Sequence, residues 1–60
     1  MEEYEVYFYF NVLEVKPFAR PSTRTVVKIK KGSTETQIIR KGLKQIVEYP
    51  KTYTATIKKL

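Results

Sequence analysis

The chain has 60 residues, twelve Lys or Arg against six Glu, a net charge of +6, and neither Cys nor His. That length holds one domain, 1–60, with a small core, since such a chain buries only about 60% of the surface its unfolded form exposes. The missing Cys and His exclude disulfides and the usual zinc clusters and remove the commonest general base and thiol nucleophile, and no apolar run reaches membrane-spanning length. The expectation is a cytoplasmic protein that is not an enzyme, holds no cofactor or metal and does not bind membranes.

Residues 1–3 form a short acidic tip, unlike a signal peptide. Tyr4–Val15, YEVYFYFNVLEV, holds five aromatic residues in its first seven positions, which favours a strand. Alternation puts Tyr4, Val6, Phe8, Phe10 and Val12 on one apolar face. Tyr7, Tyr9, Leu13 and Val15 go on the other, among Glu5 and Asn11. The strand is long, so a bend near Asn11 is expected. Lys16–Thr23, KPFARPST, is a loop whose two prolines stop regular pairing. Phe18 is expected to fold back as a plug over the core edge. The alternative is a presented aromatic flanked by Lys16, Arg20 and Arg24. Arg24–Lys31 is a second strand, with Thr25, Val27 and Ile29 on one face and Arg24, Val26, Lys28 and Lys30 on the other. It pairs antiparallel with the first.

Gly32-Ser33 breaks the pattern. On a helical wheel of Thr34–Tyr49, Ile38, Ile39, Leu43, Ile46, Val47 and Tyr49 fall within a half-circle opposite Gln37, Arg40, Lys41, Lys44 and Glu48. Thr34 and Gln37 have capping-box spacing, Glu35 suits the first turn, and Pro50 supplies a stop. Gly42 faces the apolar side and would let a helix approach a sheet closely. Two strands turning at Lys41-Gly42 are the competing reading, giving a five-stranded all-β barrel. Alternation fails at Ile38-Ile39 and Ile46-Val47, so the helix is preferred. Lys51–Leu60 alternates cleanly as a last strand, with Tyr53, Ala55 and Ile57 opposite Thr52, Thr54, Thr56 and Lys58.

The predicted fold is α+β, a small β-β-α-β domain. A three-stranded antiparallel sheet carries one helix on one face, because a single sheet must cover its apolar side. The expected core is Val6, Phe8, Phe10, Val12, Val27, Ile29, Ile39, Leu43, Ile46, Val47, Tyr53, Ala55 and Ile57, with Tyr4 and Tyr49 at its edges.

Charge and the uncovered face point to function. Residues 1–15 carry four Glu and no basic residue, net −4; residues 16–60 carry twelve Lys or Arg and two Glu, net +10. Such a field attracts polyanions, and nucleic acid, DNA or RNA, is the commonest. Lys28, Lys30, Lys58, Arg20 and Arg24 are the expected phosphate contacts, with base stacking on Tyr7 or Tyr9. The alternative is a small assembly module in which Tyr7, Tyr9, Leu13 and Val26 are buried in a homodimer.

Overall fold

Alternating aromatic and β-branched residues make the first strand, and everything else is arranged about it. The computed structural model describes residues 1–10, 15–46 and 50–60. Within them the elements are β1 (Glu2–Phe10), β2 (Thr23–Ile29), α1 (Glu35–Gln45) and β3 (Tyr53–Lys59). The three strands form one antiparallel sheet in the order β2-β1-β3, with the helix on one face. The architecture is the expected β-β-α-β domain and not a closed barrel.

In β1, Tyr4, Val6, Phe8 and Phe10 point to the helix side. Val6 and Phe8 are fully buried there together with Val27 of β2. Register places Val6 between Thr25 and Ile57, and Phe8 between Thr23 and Ala55. Phe8 also meets the Tyr53 ring edge-on, with centroids 5.6 Å apart and planes at 67°. That geometry suits the quadrupoles of the two rings. Tyr53 nonetheless remains 38% exposed, at the margin of the core and not inside it.

β1 begins two residues earlier than alternation suggested. Glu2 and Glu3 are drawn into the ladder opposite Ile29 and Lys28, and each finds a lysine, Glu2 at 3.5 Å from Lys59 and Glu3 at 3.8 Å from Lys28. β2 ends at Ile29 because Lys30–Ser33 turns back on itself. Ser33 N–H donates to the Lys30 carbonyl at 3.2 Å, and Gly32 sits third in the turn at φ 89°. A side chain is strained at that angle, so glycine is the fitting residue.

The helix starts as its sequence indicates. Thr34 is the N-cap, its hydroxyl accepting from Gln37 N–H at 3.2 Å while Gln37 Oε1 accepts from Thr34 N–H at 2.9 Å. This reciprocal pair satisfies two of the orphan donors at a helix start. An isolated helix of this length is marginal in water. Burial of one row, Ile38, Gly42 and Ile46, fixes it to the sheet. These residues are four apart and so lie one above another.

Gly42 explains which row is buried. A Cβ there would lie 3.2 Å from Thr25 Cγ2 and 3.4 Å from both Phe8 and Val6. The absence of one brings the helix axis down over Gly42 and rolls Ile38 inward. Ile38 is therefore a core residue at 2% exposure, whereas Ile39, the one of the two in the expected core, is half-buried. The helix is also shorter than the apolar pattern. Ile46 is already extended, with φ −86° and ψ 147°, and its side chain is buried. Thr25 Oγ1 donates to Gln45 Oε1 at 3.0 Å and ties that end to β2. The expected positions of Asn11, Val12, Leu13, Val47 and Tyr49 lie outside the described residues.

Candidate functional site

The sheet face away from the helix is built by strand parity. Along β1 it carries Glu3, Glu5, Tyr7 and Tyr9. Across the ladders, Glu3 pairs with Lys28, Glu5 lies between Val26 and Lys58, Tyr7 between Arg24 and Thr56, and Tyr9 beside Thr54. Two glutamates thus stand in the middle of the face expected to be basic. They act on its cations directly. Arg24 Nη1 donates to Glu5 Oε1 at 3.3 Å, and Lys28 lies 3.8 Å from Glu3. A hydrogen bond to the Glu5 carboxylate raises the Tyr7 phenol above its ordinary value, with desolvation adding to the effect. This face is a mosaic of both signs, since the period that brings Tyr7 outward also brings Glu3 and Glu5 outward.

At the β2 entry the picture changes. Ser22 clasps β1 from the loop. Its N–H donates to the Phe8 carbonyl at 2.8 Å, and its hydroxyl accepts from Phe10 N–H at 3.1 Å. Two bonds from one small residue fix the end of the proline loop against the sheet. Arg20, Pro21, Ser22, Thr23 and Arg24 then line an open cleft of about 670 Å³ together with Tyr7. Three of the sequence-derived site residues, Tyr7, Arg20 and Arg24, meet there. Arg24 is shared with Glu5, whereas Arg20 has no ion pair among the described residues.

Beyond the clasp, Lys16 to Ala19 closes a turn, with Ala19 N–H on the Lys16 carbonyl at 3.0 Å. Pro17 takes the second position, where its fixed φ suits the turn. Phe18 is not a plug. It is 91% exposed at the tip of this turn, because Pro17 directs the chain outward before Ser22 returns it to β1. An exposed aromatic two residues from an unpaired arginine belongs to the candidate surface.

The remaining expected residues are dispersed. Tyr9 is 8% exposed and stands outside the helix-side core, so its ring offers little free face. Lys28 lies toward the other end of β2. Lys30 is exposed in the turn that follows it, and Lys58 is exposed across the ladder from Glu5. Among the described residues no group of three or more His, Cys, Asp or Glu could hold a metal ion, and no helix is long and apolar enough to cross a membrane. No family model, curated protein or solved structure matches the chain.

An aromatic ring with two guanidinium groups at one opening can perform a definite task. Arginine offers donors in a planar fork that fits phosphate oxygens. A tyrosine ring offers a flat surface on which any base can stack.

Proposed function

We propose that this protein binds nucleic acid and that the cleft at the β2 entry receives an unpaired nucleotide. The observation that carries this reading is the meeting of Tyr7, Arg20 and Arg24 around one open cleft. Arg20 and Arg24 take the phosphates, Tyr7 takes a base, and the net charge of +6 draws the polyanion in. Lys58 and Lys30 add long-range attraction without contacting the same nucleotide. The role is one of binding, without a chemical step, and the compartment proposed is the cytoplasm.

The test is fluorescence anisotropy with a labelled single-stranded oligonucleotide, at low and at moderate salt. Affinity is expected to fall as salt rises, because phosphate contacts release counterions. Tyr7→Ala is expected to cost about 1–3 kcal/mol of binding. Absence of binding at low salt, to single strands and to duplex alike, ends the proposal.

A second reading is favoured by Val26, which is 47% exposed in the row that also holds Glu5 and Lys58. A homodimer through the open sheet face would cover it. Sedimentation decides this, a monomer throughout the micromolar range being the adverse result.

A further inference from the structure

On the helix side of the sheet, a separate groove of about 570 Å³ runs between the end of β2 and α1. Ile29, Ser33, Gln37, Arg40, Lys41 and Lys44 line it. Its polar groups are of one kind. Arg40, Lys41 and Lys44 are cations, and none has an ion pair among the described residues. Gln37 Oε1 is already engaged by Thr34 N–H in the capping box, so the amide leaves its NH2 group to the groove. The Ser33 hydroxyl proton is committed to the Lys30 carbonyl at 2.6 Å. Lys41 Nζ donates to the Lys28 carbonyl, which holds its ammonium against the end of β2. Among the described residues no carboxylate lines the opening, and Lys30 and Lys31 lie in the turn that adjoins it.

A groove that presents three cations and an amide donor, with no carboxylate among them, is complementary to a ligand made of acceptors carrying negative charge. The cations come from two successive turns of the helix, so a run of phosphates can engage them in succession. We propose that this groove is a second nucleic-acid contact, a site for the phosphodiester backbone that reads no base. Among the described residues its lining holds no aromatic ring on which a base could stack. It opens on the other face of the sheet from the Tyr7 cleft, at the opposite end of β2, roughly 20 Å away along a strand rising about 3.3 Å per residue. The choice of nucleic acid as ligand rests on the function proposed above.

The experiment is an amide NMR titration of the whole chain with three probes: an abasic oligodeoxynucleotide, the same length of single strand with bases, and vesicles of phosphatidylglycerol. The abasic strand is expected to shift the Gln37, Lys41 and Lys44 amides and to move Tyr7 less than the strand with bases does. The strand with bases is expected to shift both groups. Arg40→Gln with Lys44→Gln changes two exposed side chains and leaves the Lys41 bond to β2 in place. That variant is expected to lose at least tenfold in affinity for the abasic strand, and its salt slope for that strand is expected to fall by about 1.4, as for two lost single-strand phosphate contacts. Its circular dichroism is expected to be unchanged. If the abasic strand moves no groove amide, or if the vesicles move them and the strand does not, the proposal is overturned. Groove shifts without any response at Tyr7 and Arg24 would uphold the groove and sink the cleft instead. Cleft shifts without groove shifts would do the reverse.

Discussion

The two faces of this small sheet handle charge in opposite ways. On the open face, glutamates of β1 stand within ion-pair distance of the flanking strands, so that Glu5 meets Arg24 and Glu3 meets Lys28. Attraction toward a distant anion is largely cancelled there. On the helix side, Glu2 is taken up by Lys59 and Glu35 lies in the first helical turn, where a carboxylate suits the helix dipole, while Arg40, Lys41 and Lys44 have no ion pair among the described residues. The difference shows that a net charge states how strongly a polyanion is drawn but not where it lands. The unpaired cations stand along the helix, beyond the carboxylates of β1.

That contrast depends on two intact layers, and the largest expected effect comes from removing the residue that joins them. Phe8→Ala empties a fully buried site beneath Gly42 and is expected to cost about 3–5 kcal/mol, read as a fall in denaturant midpoint. Loss of binding at both surfaces would accompany it at temperatures where the variant unfolds. A smaller break comes from lifting the helix without emptying the core. Gly42→Val forces atoms into the space that Thr25, Phe8 and Val6 close to 3.2–3.4 Å, and is expected to cost about 1–3 kcal/mol. A variant as stable as the parent would show that the close approach at Gly42 is not needed.

Glu5→Gln sharpens the comparison from the other side. It frees Arg24 from its carboxylate and removes a negative charge beside Tyr7. Single-strand affinity is expected to rise several-fold, while stability changes by no more than about 1 kcal/mol, as for other exposed ion pairs. Unchanged affinity would mean that Arg24 takes no part in the cleft.

The smallest effect concerns pH. The Tyr4 hydroxyl donates to Glu2 Oε2 at 2.8 Å, and this bond, followed by the nearby Lys59 ammonium, holds the Glu2 carboxyl below its ordinary value of 4.5. The same bond raises the Tyr4 phenol above 10.0. Folding therefore favours ionised Glu2 and neutral Tyr4. The Glu2 contribution is present above its ordinary value and is lost as pH falls through the depressed one. The Tyr4 contribution is present below its ordinary value and is lost as pH rises through the raised one. In Tyr4→Phe the carboxyl carbon of Glu2 is expected to titrate closer to 4.5, with a remaining depression from Lys59. No movement would assign the whole effect to the lysine.

Much of the fold was legible because its signals are local. The Thr34–Gln37 spacing specifies a capping box, the doubled apolar pairs rule out alternation, and Tyr53–Lys58 alternates apolar with polar residues. What escaped depends on how elements lie against each other. Ile38 and Ile39 are nearly equivalent on a wheel, and the space above Thr25 decides between them. Phe18 reads as core material by composition, and the Pro17 turn makes it surface. The candidate cleft was half legible. Tyr7, Arg20 and Arg24 could be chosen by chemistry, but their convergence depends on the Ser22 clasp, which no motif announces. The opposing glutamates were within reach, since the same period that selects Tyr7 selects Glu5 and Glu3.

The central place of β1 also governs how the chain reaches its fold. One neighbour, β2, follows after a single loop, so that ladder closes cheaply in entropy. The other pairs Tyr4 with Lys59 and Phe10 with Tyr53, and the Leu60 N–H donates to the Glu3 carbonyl at 3.0 Å. Half of the sheet therefore joins segments far apart in sequence, and that ladder carries the larger loop-closure entropy. A domain of this size wired in this way folds more slowly than a helical one of equal length.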